Sequence, residues 1–418
     1  MAKTYVPGAS QFRILVLLVA GAAFLALGVE SIRHYLNYLH AVSDHTGQDI
    51  VRGAQQKATL IYWLFWLGLA AAALLLAASR NTVWVAYLLC LTILVEAVAQ
   101  GFFLAGHGHL YQPLPAISYA MFDLNPVSLA SPHPGNFVDG LSHDANHHRT
   151  TVNEGKVANP IMIYVFGGST TYDVGNRDSD TWPSRLSRLL GPEYDVENYG
   201  VPGFSSMEAL GQSLFAFRDA HVACAVYYEG WNDLRNAHMA GLQTDYSDYE
   251  IPYLNRALLL QSKPGFLQRN SVALAYAASL LVSAPRGKPA GEISAEKDPQ
   301  LSKIYRDNIG LLAAIGHNFG VAVVFVPQIV NRAALQQGTP EDNGLVETFI
   351  RRQAMVRMVD FMNQDLADEA AQSRAIFLDA VQAVPWSSED FLDTVHFAAK
   401  GSLRFAETIA PDLRRICN

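Results

Sequence analysis

The chain has 418 residues, half of them hydrophobic, with 38 acidic against 30 basic side chains and a formal net charge of −8. Its positive mean hydropathy argues against an ordinary soluble protein of this length and puts membrane segments first. The lack of a long basic run argues against a nucleic-acid partner. The three cysteines, Cys90, Cys224 and Cys417, show no paired spacing and indicate neither a disulfide framework nor a zinc site.

Three apolar runs fill the first hundred residues. "ILVLLVAGAAFLALGV" begins at Ile14 behind Lys3 and Arg13, "LIYWLFWLGLAAAALLLAA" at Leu60, and "TVWVAYLLCLTILVEAVAQGFFLAG" at Thr82. A helix needs roughly 20 apolar residues to cross a bilayer, so the second and third runs predict a tight hairpin of spans joined near Arg80. The first is slightly short, but "IRHYLNYL" can extend it. Its small residues "AGA" also fit a cleaved signal peptide; the apolar run continues past them, which favours a retained anchor. About three transmembrane helices are therefore expected within residues 1–106. Glu96, inside the third run, is expected to face the bundle or the interface; a proton relay would need a partner that is not visible in the sequence. Lys3, Arg13 and Arg80 fall on one side of the membrane and Arg33, Arg52 and Lys57 on the other, so the basic residues leave orientation tied.

Residues 107–159 are rich in His, Pro, Gly and Asn without a steady period, which predicts an irregular linker able to wrap the next domain. Its "SHDANHH" brings His143, Asp144, His147 and His148 together. On a helix His143 and His147 would share a face, as zinc ligands can, but no third-ligand motif follows and a polar loop is the plainer expectation. No metal or cofactor is expected.

From residue 160 to 418 the pattern alternates. "IMIYVFGG", "YDVENYG", "HVACAVYYEG", "VAVVFVPQ" and "AIFLDA" read as strands. "TWPSRLSRLL", "SSMEALGQSLFAFRD", "LSKIYRDNIGLLAAIGHNFG", about Glu347 to Ala371, and "GSLRFAETIAPDLRR" read as helices, two of them opened by Thr181 and Ser205 caps. The alternation predicts a parallel sheet between helical layers, with ligands at the carboxyl ends of the strands. It fails between about 234 and 300, which reads as an insertion. There "SVALAYAASLLVS" is apolar but short for a span, and a buried or membrane-surface helix is expected.

Chemistry-bearing residues gather just after the strand ends. Ser169 follows "FGG", and by itself it could be a turn serine, part of a phosphate cradle or a nucleophile. No lysine follows the glycines and no G-x-G-x-x-G opens the helix, so the cradle fails. A serine needs a base to take its proton, and the base needs a partner to set its tautomer. His396, with Asp393 three residues earlier in "DTVH", can supply both; Glu389 and Asp390 are weaker substitutes for Asp393. An oxyanion needs fixed donors, and the candidates are the N–H groups of Ser169 and Gly203 and the side-chain amide of Asn232. Tyr172, Trp231 and Asp233 are candidate pocket residues, although aromatic side chains beside a site are as often packing and Asp233 can brace its loop. Gly200 reads as a turn former, and Arg235 and His238 as loop residues within reach of an anionic group.

Ser169 in "FGGST", Gly203 in "NYGVPGFSS", Asn232 in "GWND", and Asp393 with His396 in "DTVH" stand in the order of the four blocks of the SGNH, or GDSL-like, hydrolases. Between about Ile161 and Arg415 the chain resembles that superfamily, with Gly168 and Thr170 where its name motif has Asp and Leu. The resemblance implies a three-layer α/β/α flavodoxin-like domain, ester or acyl-transfer chemistry and an extracytoplasmic site (periplasmic if the membrane is a bacterial inner membrane). The leading expectation is a membrane-anchored serine esterase or deacetylase acting on cell-envelope or exported glycans, with lipid as another substrate. The alternatives are an O-acyltransferase working with a multi-span acyltransferase partner, and a non-catalytic subunit of an envelope assembly.

Overall fold

The computed structural model describes residues 50–77, 81–107, 110–111, 113, 121–138, 140–153, 155–218, 221–247, 265–275, 277, 296–336, 350 and 354–418. The first apolar run, from Ile14, lies outside them. The chain divides into two compact units. One gathers Arg52–Ser118 with Ser262–Ser283, and the other gathers Tyr119–Gln261 with Ala284–Asn418.

In the first unit two long helices follow one another, α1 (Ile50–Ala77) and α2 (Val83–His107). Gln55–Ala77 and Val83–Ala105 have mean hydropathies of 2.2 and 2.1, and each is long and apolar enough to cross a membrane. The pair is built inside out. Leu74, Leu75, Trp84, Tyr87, Leu88 and Phe102 are exposed, whereas Glu96 and Gln100 are buried. Tyr62 donates its hydroxyl to Glu96 Oε1 at 2.8 Å, and Gln100 Nε2 donates to the Tyr62 oxygen at 2.8 Å. The Glu96 carboxylate also accepts from Ser271 Oγ at 2.7 Å and from the backbone N–H groups of Val272 and Ala273. Residues 272–275 are helical, so Glu96 caps a short helix in the segment read from sequence as an insertion. Trp66 Nε1 donates to Asn270 O at 2.7 Å in the same cluster. Glu96 therefore faces inward, and its partners are the ones the sequence did not display.

The second unit is an α/β fold. Strands β5 (Ile161–Gly167), β6 (Tyr194–Asn198), β7 (Val222–Tyr228), β8 (Ala322–Phe325) and β9 (Ile376–Phe377) form one parallel sheet in the order β6-β5-β7-β8-β9. Counted from β5 this is 2-1-3-4-5, the flavodoxin-like doubly wound order, whose ligand site falls where the winding reverses at the carboxyl ends of the strands. Alternate side chains serve opposite faces. Tyr164, Phe166, Tyr227 and Phe325 pack against α5 (Ser206–Ala216), α7 (Pro299–Asn318) and α9 (Met355–Gln372). Ile163, Val165, Val226 and Val324 pack against α4 (Trp182–Leu190) and α10 (Ala399–Ile416). Such near-continuous apolar strands are what a sheet covered on both sides requires. The helix starts carry the expected caps. Thr181 accepts from the Ser184 N–H, and Ser205 with Glu208 forms a capping box.

Two features differ from the sequence reading. The stretch taken as irregular holds two antiparallel hairpins, β1 (Phe122–Asn125) with β2 (Leu129–Pro132) and β3 (Gly135–Val138) with β4 (Leu141–His143). Arg149 bridges His143 on one side and Asn198 of β6 on the other, so this stretch continues the sheet at its β6 edge. The cysteines are the second difference: Cys224 of β7 is disulfide-bonded to Cys417, at the end of α10 and 193 residues away. Spacing cannot reveal such a pair, because only the fold brings the central strand and the last helix together.

Candidate active site

Strand β5 ends at Gly167 because no side chain fits there: a Cβ would lie 2.5 Å from the Tyr228 carbonyl oxygen and 2.2 Å from Thr171 Oγ1. The chain turns sharply and Ser169 opens the four-residue helix α3 (Ser169–Tyr172). Its Oγ stands 2.8 Å from His396 Nε2, and His396 Nδ1 stands 2.7 Å from Asp393 Oδ2. The other Asp393 oxygen accepts the backbone N–H groups of Val395 and His396 at 2.8 and 2.9 Å, so one carboxylate folds the turn and orients the ring. Burial works against the charge on Asp393, but the His396 ring and the two amides outweigh it and hold the carboxyl below its ordinary range. An ionised Asp393 keeps the imidazole proton on Nδ1 and leaves Nε2 free to accept from the Ser169 hydroxyl. The turn is itself pinned. Asn331 N–H donates to Thr394 O at 2.9 Å, and Leu392 N–H donates to His396 O at 2.8 Å.

Asn232 lies beside this group. Its Nδ2 donates one hydrogen to Phe204 O at 2.6 Å, leaving a second hydrogen on the same nitrogen. Its carboxamide occupies the place where a Cβ on Gly168 would be, 2.4 Å from Nδ2. Gly168, which stands where the resemblance led one to expect Asp, thus has a steric role that sequence reasoning missed. Gly203 has φ +96°, a conformation glycine adopts freely. Gly200 lies against α3, and a Cβ there would sit 2.3 Å from the Tyr172 backbone nitrogen.

The three residues read as possible pocket walls are buried. Tyr172, Trp231 and Asp233 are only 1%, 8% and 0% exposed. Asp233 accepts from Ser206 Oγ at 2.5 Å and from the Ser206 N–H, tying the loop after β7 to the start of α5. Burial pushes its carboxyl up to about 6. Burial first, then the neighbouring Asp233 and Glu208 charges, raises the Glu229 carboxyl well above its ordinary value. Tyr172 donates or accepts at 2.7 Å with His143 Nε2, and the Arg149 guanidinium lies over its ring at 4.6 Å. Arg149 is fully buried, is ion-paired with Asp178 Oδ1 at 2.9 Å and donates from Nη2 to Asn176 O at 2.9 Å. No pattern in the sequence marks it. The histidines of "SHDANHH" go separate ways. His143 Nδ1 meets His133 O, His147 Nδ1 meets Pro132 O, and His148 Nδ1 lies 3.2 Å from Glu197. Burial lowers the His143 pKa to about 4. Among the described residues no group of three or more His, Cys, Asp or Glu side chains is arranged to hold a metal ion. The backbone N–H of His238 is spent on Asp298 Oδ2 at 2.5 Å.

No family model matches the chain, and no curated protein matches it. Solved structures of similar fold include a GDSL-like lipase from Bacteroides thetaiotaomicron, at 11% identity over 62% of this chain and 92% of that one, with a TM-score of 0.36. A lipase/acylhydrolase from Enterococcus faecalis matches at 14% identity over 61% of this chain and 96% of its own, with a TM-score of 0.34. An acetyl xylan esterase from Geobacillus stearothermophilus matches at 13% identity over 62% and 96%, again with a TM-score of 0.34.

Proposed function

We propose that the protein is a membrane-anchored serine esterase of the SGNH type, acting on acyl esters of envelope or exported glycans. The observation that carries this reading is the continuous relay from Ser169 Oγ through His396 to Asp393 at 2.8 and 2.7 Å. In the proposed reaction Ser169 Oγ attacks the ester carbonyl as its proton passes to His396 Nε2. The oxyanion is met by the N–H groups of Ser169 and Gly203 and by the unspent hydrogen of Asn232 Nδ2. His396 then gives the proton to the departing alcohol, and water, deprotonated by the same nitrogen, releases the acid from the acyl-enzyme.

Residues 1–106 would be the anchor and 160–418 the catalytic domain, its edge extended by the 122–149 segment. The inside-out burial of α1 and α2 supports a lipid environment, since apolar side chains face outward and Glu96 faces inward. The Cys224–Cys417 bond supports an extracytoplasmic catalytic domain, because such bonds persist in oxidising compartments. The basic residues left that orientation tied.

The test is hydrolysis of 4-nitrophenyl acetate by the full chain in detergent, with labelling by a fluorophosphonate. Ser169→Ala is expected to abolish labelling and to lower kcat by at least about 10³-fold. A wild-type protein that is folded, unlabelled and inactive on every ester offered sinks the catalytic reading.

A further inference from the structure

A cavity lies along the same carboxyl edge of the sheet, at the ends of β8 and β9, and has a volume of about 670 Å³. Five side-chain amides line it, Gln328, Asn331, Asn363, Gln364 and Gln382, together with the aromatic rings of Trp386 and Phe391. None of these side chains belongs to the Ser169–His396–Asp393 relay, although Asn331 pins its turn.

The lining is held by its own hydrogen bonds, and its charged side chains are one cation, Arg332, and two carboxylates, Asp360 and Asp379. Its lining cation, Arg332, is paired in a two-pronged bond with Asp360, with Nη1 3.2 Å and Nη2 2.5 Å from the two carboxylate oxygens. Asn363 is fixed on the Gln328 backbone, accepting its N–H at 2.8 Å and donating to its carbonyl at 2.9 Å. Trp386 Nε1 donates to Val381 O at 2.9 Å, and its ring stacks on Phe397. Against this fixed frame some polar capacity is unspent. Gln328 Nε2 donates to the Tyr228 hydroxyl oxygen and to Ile329 O, yet its Oε1 is buried with no partner. Gln382 is exposed at the mouth.

Each amide offers both donor and acceptor capacity and none carries charge. A lining rich in amides and aromatic surface, with the Asp379 carboxylate the charge in excess, suits a ligand with many hydroxyls and apolar ring faces, and it gives no unpaired positive charge to a phosphate or carboxylate. An extended acyl chain would instead need a continuous apolar groove. The cavity also shares a wall with the catalytic turn. Asn331 Nδ2 donates to Asp393 O at 3.3 Å, its N–H holds Thr394 O, and Ser388 Oγ donates to Asn331 Oδ1 at 3.2 Å.

We propose that this cavity binds a neutral sugar unit of the substrate, on the side of the departing alcohol, so that His396 sits between the seryl ester and a held glycan. The inference deepens the esterase reading and rests on it for the position of the alcohol, but binding can be measured without turnover.

The experiment uses the full chain in detergent with the Ser169→Ala substitution, titrated calorimetrically with neutral β-1,4-xylo-, cello-, chito- and malto-oligosaccharides. At least one series is expected to bind. Gln382→Ala is expected to weaken that binding about fivefold, and Ala333→Trp, which fills the mouth, at least tenfold. With Ser169 intact, Ala333→Trp is expected to lower kcat/KM for the acetylated form of that oligosaccharide at least tenfold while leaving 4-nitrophenyl acetate within twofold. Absence of binding by all four series, or binding indifferent to Ala333→Trp, overturns the proposal. So does an equal loss on both esters, which marks damage to the fold. If the oligosaccharide binds at the cavity but no ester is turned over, the esterase reading fails and the sugar site stands.

Discussion

At the scale of single residues, the site is held by contacts of two ranges, Asp393 with His396 inside one turn and Gly168 with Asn232 between two loops. Asp393 and His396 share one turn, so "DTVH" alone tells that they can meet. The Gly168–Asn232 contact spans 64 positions and depends on the close approach of two loops, so "FGGS" could not announce it. That contact gives a specific expectation. Gly168→Ala would place a methyl group 2.4 Å from Asn232 Nδ2 and 2.8 Å from Phe204 O, and neither can retreat, since each holds the other. The variant should fold, label with fluorophosphonate more slowly, and lose roughly 10²-fold in kcat with little change in KM, as removal of one oxyanion donor does. Wild-type kcat in this variant would show that Asn232 gives nothing to the oxyanion.

Asp173 supports the same turn from behind, and its behaviour is pH-dependent. It is buried, accepts from Trp182 N–H, Ser402 Oγ and Asn176 Nδ2, and is pushed by burial from 3.8 up to about 6. A raised folded-state pKa means that the native protein holds the proton more tightly than the unfolded chain. Its contribution is therefore full below about pH 4, falls as pH rises to about 6, and is flat above, a change of at most about 3 kcal/mol for one group. Asp233, also raised to about 6, acts in the same direction. Thermal denaturation of Asp173→Asn should show a lower Tm throughout and a shallower decline between pH 4 and 6 than the wild type. Parallel curves would show that Asp173 is charged throughout that range.

At the scale of elements, what was legible is what periodicity and caps determine. The five parallel strands were readable because both faces are covered, and α4 and α5 because Thr181 and Ser205 mark their starts. The hairpins β1–β4 were not: their strands have three or four residues each, too short for a period to show. The disulfide was illegible for another reason, because it reports tertiary proximity and not pattern. It fastens α10, which follows the Asp393–His396 turn, to the central strand β7. Breaking it with Cys417→Ser should cost about 2–5 kcal/mol by freeing a long loop in the unfolded chain. A reducing agent should lower the wild-type Tm to that of the variant and leave the variant unchanged. A wild type indifferent to reduction, with thiols free to label in the native protein, would remove both the clamp and the argument for an oxidising compartment.

At the scale of the whole molecule, the unexpected feature is that residues 262–283, inserted between β7 and α7 of the α/β unit, group with the apolar helices instead. Sequence announced the apolar character of "SVALAYAASLLVS" but not its company, because the polar links, the Glu96 carboxylate and the Trp66–Asn270 bond, join residues far apart in the chain. Glu96 meets four donors: Tyr62 Oη, Ser271 Oγ and the N–H groups of Val272 and Ala273. Removing the acceptor from apolar surroundings strands all four, and each stranded group costs about 1–3 kcal/mol, more than an exposed helix end would lose. Glu96→Ala should therefore free the 262–283 segment, which would become cleavable by a protease added to the detergent-solubilised protein. Glu96→Gln keeps one acceptor but turns an NH₂ towards donors, and should fall between the wild type and Ala. Hydrolysis of a small soluble ester at Ser169 should survive in both, since no catalytic side chain is touched. Protection of the segment in Glu96→Ala equal to that of the wild type would show that apolar packing of Val272 against Tyr62, Trp63, Trp66 and Ile93 suffices, and that the carboxylate is retained for another purpose.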